Sequence, residues 1–406
     1  MKPGGVEDQF YRLQAKLGER QAPGWDQGDQ DIVVVPSLSV DQRELLKISG
    51  FLHYEERQLF HLIQLRQPRT RLVYITSTPL HPSIIEYYLQ LLPGIPFSHA
   101  RDRLLVLSVY DASPSPLTQK ILERPRLIEQ IRQAIRPERA WLTAYNATDL
   151  EQTLSVALGI PFLGPAAALQ CWGTKRGSRQ IFAECGIPHP VGTELYHDPG
   201  LLAEALVDLW QQAPHLRRWV VKLNAGFSGE GNALLDLDPL QLDSLDTPTQ
   251  QVQAVLQGFT QMRFQAPGET WLGFCTLMAE MGALAERFLE GDEKRSPSVQ
   301  GLIHPGGRVE VLSTHEQILG GPDGQVYLGC RFPADAAYRA TLHTLGLQVG
   351  EALARRGAIE RYGVDFLVRR DPDSQTWDVQ ALEINLRQGG TTHPLMTLKL
   401  LTNGQY

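Results

Sequence analysis

Residues 381–393 read ALEINLRQGGTTH, and in this strand-like stretch Glu383, Asn385 and Arg387 occupy every second position. Alternate side chains of a strand project to opposite faces, so an acid, an amide and a guanidinium share one side. Upstream, GVDFLVRR (363–370) also reads as a strand, and the turn-rich DPDSQ (371–375) between the two predicts a hairpin. Counting back from the turn sets Asp365 roughly opposite Glu383, so three oxygen-bearing side chains converge. Such hard donors suit Mg²⁺, which takes a few carboxylates together with phosphate oxygens and water. A salt-bridge cluster is the alternative reading. Arg387 alone would then have to balance Asp365 and Glu383, and burying the remaining negative charge without a cation is costly. Metal is therefore favoured at Asp365, Glu383 and Asn385, with Arg387 offering a rigid fork of donors to a phosphate or carboxylate.

Around this hairpin lie 406 residues, enough for two or three domains with a substantial core. A formal charge of -7, with both signs interspersed, gives no reason to expect nucleic acid or an anionic membrane as partner. Cys171, Cys185, Cys275 and Cys330 are too dispersed for a metal-type pair and fit reduced thiols. No run is apolar enough to span a bilayer, and MKPGGVEDQF lacks the apolar core of a signal peptide, so the expected location is cytoplasmic.

After a polar lead (1–29), the strand candidates DIVVVPS, RLVYITS, RLLVLSVYD, AWLTAYN and the short IPFLGP alternate with helical segments such as YEERQLFHLIQLR and TDLEQTLSVALG. Strands alternating with helices predict a parallel sheet flanked by helices over about residues 30 to 165. No GxGxxG follows its first strand, which argues against a dinucleotide site there. From residue 170 the pattern changes to strands joined by turns, with occasional helices around KRGSRQIFAECG, after residue 247 and around YRATLHTLGLQVGEALARRG. This second region is expected to be α+β, with mostly antiparallel sheets. The chain stops at LLTNGQY without an obvious closing element.

Two further segments can carry chemistry. VVKLNAGFSGEGNALL sets Lys222 on a strand that leads into Gly226, Ser228, Gly229 and Gly231. Glycines let a loop bring its N–H groups against phosphate oxygens, although glycine-rich hairpin turns are common and no GK[ST] follows. In ALAERFLEGDEK, the backbone of Glu286, Arg287, Phe288 and Leu289 could bond an adenine edge, Phe288 or Leu289 could pack on its face, and Glu293 could accept from ribose hydroxyls. Taken alone, that segment reads as an amphipathic strand ending in a charged turn.

The order of these motifs resembles the ATP-grasp superfamily: GTKRGSRQIFAECGIPHP with Lys175, VVKLNAGFSGEG with Lys222, ERFLEGDE with Glu286 and Glu293, GVDF with Asp365, and EINLRQGG with Glu383, Asn385 and Arg387. It covers about residues 30 to 400, and five motifs in order are far more specific than any one. EINLRQGGTTHP and THEQILGG look like the ligases related to the pheganomycin-type peptide ligase family. Many relatives carry a basic residue just before the first metal acid; ERYGVDF has Arg361 four positions upstream and Gly363 two, and Arg331 in GCRFP is the candidate replacement.

The resemblance implies an α/β and α+β chain: a pre-ATP-grasp domain at 30–168, a subdomain at 169–270 with the lysines and glycine loop, and a subdomain at 271–406 with hinge and metal site. It implies ATP and Mg²⁺, with Mn²⁺ as an alternative, and small-molecule carboxylate and amine or peptide substrates; a homo-oligomer is compatible with it. Lys175 and Lys222 would hold phosphates under the glycine loop, Arg387 and the Gly389–Gly390 backbone would stabilise oxygens that gain charge, and His393 is a substrate candidate. The implied reaction is carboxylate–amine ligation through an acyl phosphate. The alternatives are a phosphoryl transferase of the same fold and an inactive nucleotide-binding regulatory protein.

Overall fold

The computed structural model describes residues 5–19, 29–40, 42–47, 50–226, 231–266, 268–320, 326–371 and 373–402. Three sheets organise them. The first is parallel, with β1 (Asp31–Val35), β2 (Arg71–Thr76), β3 (Leu104–Ser108) and β4 (Ala140–Ala144) in the order β3-β2-β1-β4. Its central strand DIVVV is buried throughout, as a strand covered on both faces must be. Val33, Val35, Val73 and Leu142 face helices at Leu117–Leu122, Pro125–Ala134 and Asp149–Leu158; Ile32, Val34, Leu72 and Tyr74 face the 3₁₀ helix Glu56–Arg66 and the α-helix Pro82–Gln90.

Local chemistry explains where this half departs from the sequence reading. The segment between β3 and β4 forms two helices, Leu117–Leu122 and Pro125–Ala134, and not one, because Pro125 pushes Arg124 out of helical geometry, to ψ 82°. The expected strand IPFLGP makes a single bridge, Leu142 to Phe162, before the chain turns away. The polar lead contains the helix Val6–Glu19, whose Phe10 and Leu17 are buried one heptad apart.

The second sheet is antiparallel: β5 (Arg218–Leu223), β6 (Asn232–Asp236), β7 (Arg263–Phe264) and β8 (Ala283–Arg287), in the order β7-β6-β5-β8. Helices Pro199–Gln212, Pro248–Phe259 and Trp271–Met281 cover one face around Trp219 and Phe259. The third sheet holds β9 (Lys294–Arg295), β10 (Pro297–Ile303), β11 (Val309–Gly320), β12 (Val326–Arg331), β13 (Glu360–Arg370) and β14 (Trp377–Asn385), in the order β12-β11-β10-β13-β14 with β9 beside β13. Tyr362, Val364, Phe366 and Val368 of β13 point into a core shared with the helix Arg339–Arg355, whereas Gly363, Asp365 and Leu367 line the opposite, open side. The last helix, Thr392–Leu401, returns to the first sheet and buries Met396 and Leu400 in its core. The four cysteines are unpaired, and among the described residues no helix is long and apolar enough to cross a membrane.

Candidate active site

A cleft of about 850 Å³ runs between the second and third sheets and is closed at one end by the first. The β13–β14 hairpin supplies its acids. Phe366 pairs with Ala381, yet Asp365 pairs with Glu383, so Leu382 is an extra residue bulged out of the ladder. The bulge resets the alternation: Ala381 and Ile384 both face the core, while Glu383 and Asn385 come into phase with Asp365 on the cleft side. A regular hairpin would have set Leu382 opposite Asp365.

Asp365 Oδ1 accepts from Ser298 Oγ and from Gln317 Nε2, each at 2.7 Å, and Oδ2 accepts from Asn385 Nδ2 at 2.9 Å. Burial, and next the Glu383 carboxylate, hold the Asp365 carboxyl above its usual range despite these bonds. Glu383 meets Lys175 Nζ at 2.6 Å.

Lys175 opens the helix Lys175–Glu184, and that helix ties the two sheets together. Ile384 N–H of β14 donates to Ser178 Oγ at 2.9 Å, and Lys175 N–H donates to the Asn224 carbonyl, just past β5, at 3.0 Å. Gly177 is required there, because a Cβ would stand 2.1 Å from the Cys171 carbonyl oxygen. One turn on, Arg179 Nη1 lies 3.0 Å from Glu286, and Lys222 Nζ reaches the same carboxylate at 2.5 Å. Burial alone would raise the pKa of Glu286, which is 2 % exposed; the Lys222 ammonium and Arg179 guanidinium overturn that and hold the carboxyl below its usual range.

The residues picked from sequence fall into three groups. Lys175, Lys222, Glu286, Arg287, Phe288, Leu289, Arg331, Asp365, Glu383, Asn385, Arg387, Gly389 and Gly390 all line the cleft. Gly226 and Gly231 face each other at the stem of the β5–β6 connection, whereas Ser228 and Gly229 lie outside the described residues. Glu293 and His393 are not brought into the lining. Glu293 binds Arg295 at 3.1 Å and Arg370 at 3.3 Å, and His393 Nε2 sits 3.3 Å from the Tyr88 hydroxyl.

Two expectations are narrowed by backbone bonding. In the hinge, the N–H groups of Arg287 and Phe288 already donate to the Val191 and Arg218 carbonyls, which leaves that of Leu289 as the donor for a ligand. The N–H of Gly389 donates to Thr392 Oγ1 at 3.0 Å, so Gly390 is the glycine whose N–H can face a ligand. Tyr327 packs against Gly390, where a Cβ would come within 3.2 Å of its ring.

Tyr54, Arg57 and Tyr145 escaped the sequence reading. They reach the cleft from the C-terminal edge of the parallel sheet, where β1 and β4 diverge in topology and such folds place their ligands. Gln388 fastens the site to that edge: its N–H donates to the Tyr145 carbonyl and its Nε2 to that of Ala144, both at 3.1 Å.

Known proteins resemble this chain in sequence and in fold. The family model described as IQCH-like, ATP-grasp matches residues 166–255 and 241–406. The L-propargylglycine–L-glutamate ligase of Streptantibioticus cattleyicolor is 32% identical over 371 residues, covering 89% of this chain and 72% of that protein. IQ motif-containing protein H of Danio rerio is 23% identical over 412 residues, covering 92% of this chain and 39% of that protein. The Campylobacter jejuni biotin carboxylase in complex with β-γ-ATP superposes with a TM-score of 0.55 at 14% identity, over 93% of this chain and 71% of that one. Order of motifs, three-sheet architecture and family match agree, and the chain belongs to the IQCH-like ATP-grasp family.

Proposed function

We propose that this chain is an ATP-dependent ligase that joins a carboxylate to the amine of an amino acid or peptide through an acyl phosphate, giving ADP and phosphate. The observation that carries the reading is the meeting, in one cleft, of two buried lysines, the opposed acids Asp365 and Glu383, and Arg387. The Streptantibioticus relative is named for ligating two amino acids, and the C. jejuni structure holds a nucleotide analogue.

The donor set at Asp365, Glu383 and Asn385 is all hard oxygen, and a divalent cation relieves both the burial and the Glu383 like charge that hold the Asp365 carboxyl above its usual range, so these residues fit Mg²⁺ or Mn²⁺. The ion, when bound, supplies positive charge that offsets the phosphate oxygens.

The γ-phosphoryl group of ATP passes to a substrate carboxylate oxygen, as its bond to ADP breaks. The amine lone pair then attacks the acyl carbon, the C–N bond forms, phosphate departs with the electrons of the C–O bond, and the surplus proton is released to water. Lys175 and Lys222 hold phosphates, each ammonium group oriented by its acid, and Gly226, Ser228, Gly229 and Gly231 cover them. Leu289 N–H, with Arg287 and Phe288 beside it, receives the base, and Glu293 exchanges Arg370 for ribose hydroxyls. Arg387 and Gly390 N–H, at the start of the helix Thr392–Leu401, stabilise the oxygens that gain charge, and Arg331 meets a substrate carboxylate. On this reading 30–168, 169–270 and 271–406 act as the pre-ATP-grasp domain and the two lobes, in the cytoplasm.

The test is incubation with ATP, Mg²⁺, hydroxylamine and pooled amino acids and peptides. Hydroxamates formed with ADP and phosphate are expected. AMP with pyrophosphate would mean an adenylate, a stable phosphorylated product would mean a phosphoryl transferase, and intact ATP throughout would leave a regulatory binder.

A further inference from the structure

The cleft face of the third sheet is graded along the strands. Asp365 and Glu383 oppose each other in one row, Gly363 and Asn385 in the next, and Arg361 stands one further pleat along β13, level with the point where β14 gives way to Arg387. Four residue steps along the strand separate Arg361 from Asp365, about 13 Å. Gly363, between them, sends no side chain into the space.

Arg361 and Gln300 are each only 5% exposed, and both line the cleft. Arg361 Nη2 points at Met396 Sδ, 3.4 Å away, and Nε lies 3.6 Å from Glu360 Oε1, but Nη1 has no partner. Gln300 pairs with Gly363 across β10 and β13, its Oε1 accepts from Thr392 Oγ1 at 3.2 Å, and its Nε2 likewise has no partner. A buried donor left unbonded costs about 1–3 kcal/mol, more when charged. Two such donors at one end of a cleft, one of them cationic, match the two oxygens of a carboxylate.

We infer that Arg361 and Gln300 form a carboxylate subsite for the incoming amine, so that the nucleophile is an α-amino acid or a peptide with a free carboxyl end. The inference rests on the ligase reading above and deepens it. In this arrangement the phosphate end of the reaction lies at the Asp365 row, the acyl carbon near Arg387, and the carboxylate of the nucleophile beyond it on Arg361.

The test offers the chain ATP, Mg²⁺, pooled L-amino acids and an equal pool of their carboxamides in one tube, with hydroxylamine in a parallel tube, and reads products by mass and ADP by assay. Wild type should give at least tenfold more carboxylate-ended than amide-ended product. Arg361→Gln should lower that ratio at least tenfold and cut amino-acid coupling at least tenfold more than hydroxamate formation. Gln300→Met should shift the ratio the same way by a smaller factor, and Arg361→Lys should restore part of it, which a loss of folding would not do. Equal yields of the two product types from wild type overturn the subsite. An equal fall in hydroxamates and coupled products in Arg361→Gln assigns the carboxylate to the activated acid and overturns it too. Absence of ADP in every tube defeats the ligase reading itself.

Discussion

Asp365 and Glu383 are paired residues of β13 and β14 only because Leu382 is bulged between them and the turn. The two acids therefore depend on one irregularity in the ladder, and each has donors of its own: the Lys175 ammonium on Glu383, and the Ser298 hydroxyl with the Gln317 and Asn385 amides on Asp365.

Removing either charge should silence the site without unfolding it. Asp365→Asn and Glu383→Gln are each expected to lower Mg²⁺-dependent ATP turnover by about 100-fold or more, since even partners of metal ligands are worth 10–100-fold. Titration of turnover against Mg²⁺, with circular dichroism as the folding control, checks this; an unchanged titration curve in both variants would falsify the metal assignment.

Glu286 gives a stability test separate from catalysis. It holds two buried or nearly buried cations, Lys222 and Arg179, which Glu286→Gln would strand. Breaking such a buried pair costs about 3–5 kcal/mol. Denaturant unfolding followed by tryptophan fluorescence should show a clearly lower midpoint, because Trp219 sits in the adjoining strand beside Arg287. If the midpoint stays put, the cluster is not a determinant of the fold.

Two histidines predict a pH dependence. Burial, aided by the Arg361 charge, lowers the His61 pKa to about 3, and burial lowers that of His315 to about 3. Both are neutral when folded, whereas an unfolded histidine titrates near its usual value of about 6.5. As pH falls from there toward 3, the unfolded chain takes up protons that the folded one refuses, and stability drops by roughly 1.4 kcal/mol per pH unit for each. Urea unfolding at pH 6.5, 5.5 and 4.5 should show a shallower fall in His61→Leu than in wild type; parallel curves would contradict the assignment.

The ribose contact assigned to Glu293 has its own measurement. Its carboxylate is partly exposed between Arg295 and Arg370, next to the cleft-lining Lys294. Wild type is expected to favour ATP over 2′-deoxy-ATP by about 1.5–3 kcal/mol, the range of a hydrogen bond to a charged group, and Glu293→Ala should flatten that preference. Equal discrimination by both proteins would remove Glu293 from the nucleotide site.

What could be read in advance followed from period and punctuation. DIVVV announces a strand covered on both sides, and GVDFLVRR announces alternation, because side-chain direction in a strand is local. The Leu382 bulge was hidden: leucine at 382 satisfies a strand either way, and only pairing with β13 reveals the extra residue. The helix Val6–Glu19 was not legible: Phe10 and Leu17 stand one heptad apart, but the charged residues between and around them hid that apolar stripe within a polar lead. Tyr54, Arg57 and Tyr145 carried no local sign at all, since their approach to the cleft is set by how the parallel sheet docks against residues more than two hundred positions later.

The Gln388 bonds to Ala144 and Tyr145, together with Met396 and Leu400 in the core of the first sheet, bear on how this protein can be divided. The family model begins to match at residue 166, so a fragment cut there would hold everything that model describes. It would nonetheless strip the closing helix of its apolar seat and the Arg387–Gly390 turn of its anchor. Modularity in the sequence record and autonomy of the active site are different properties here: the first 165 residues act as a foundation for the chemistry, not as an attachment to it.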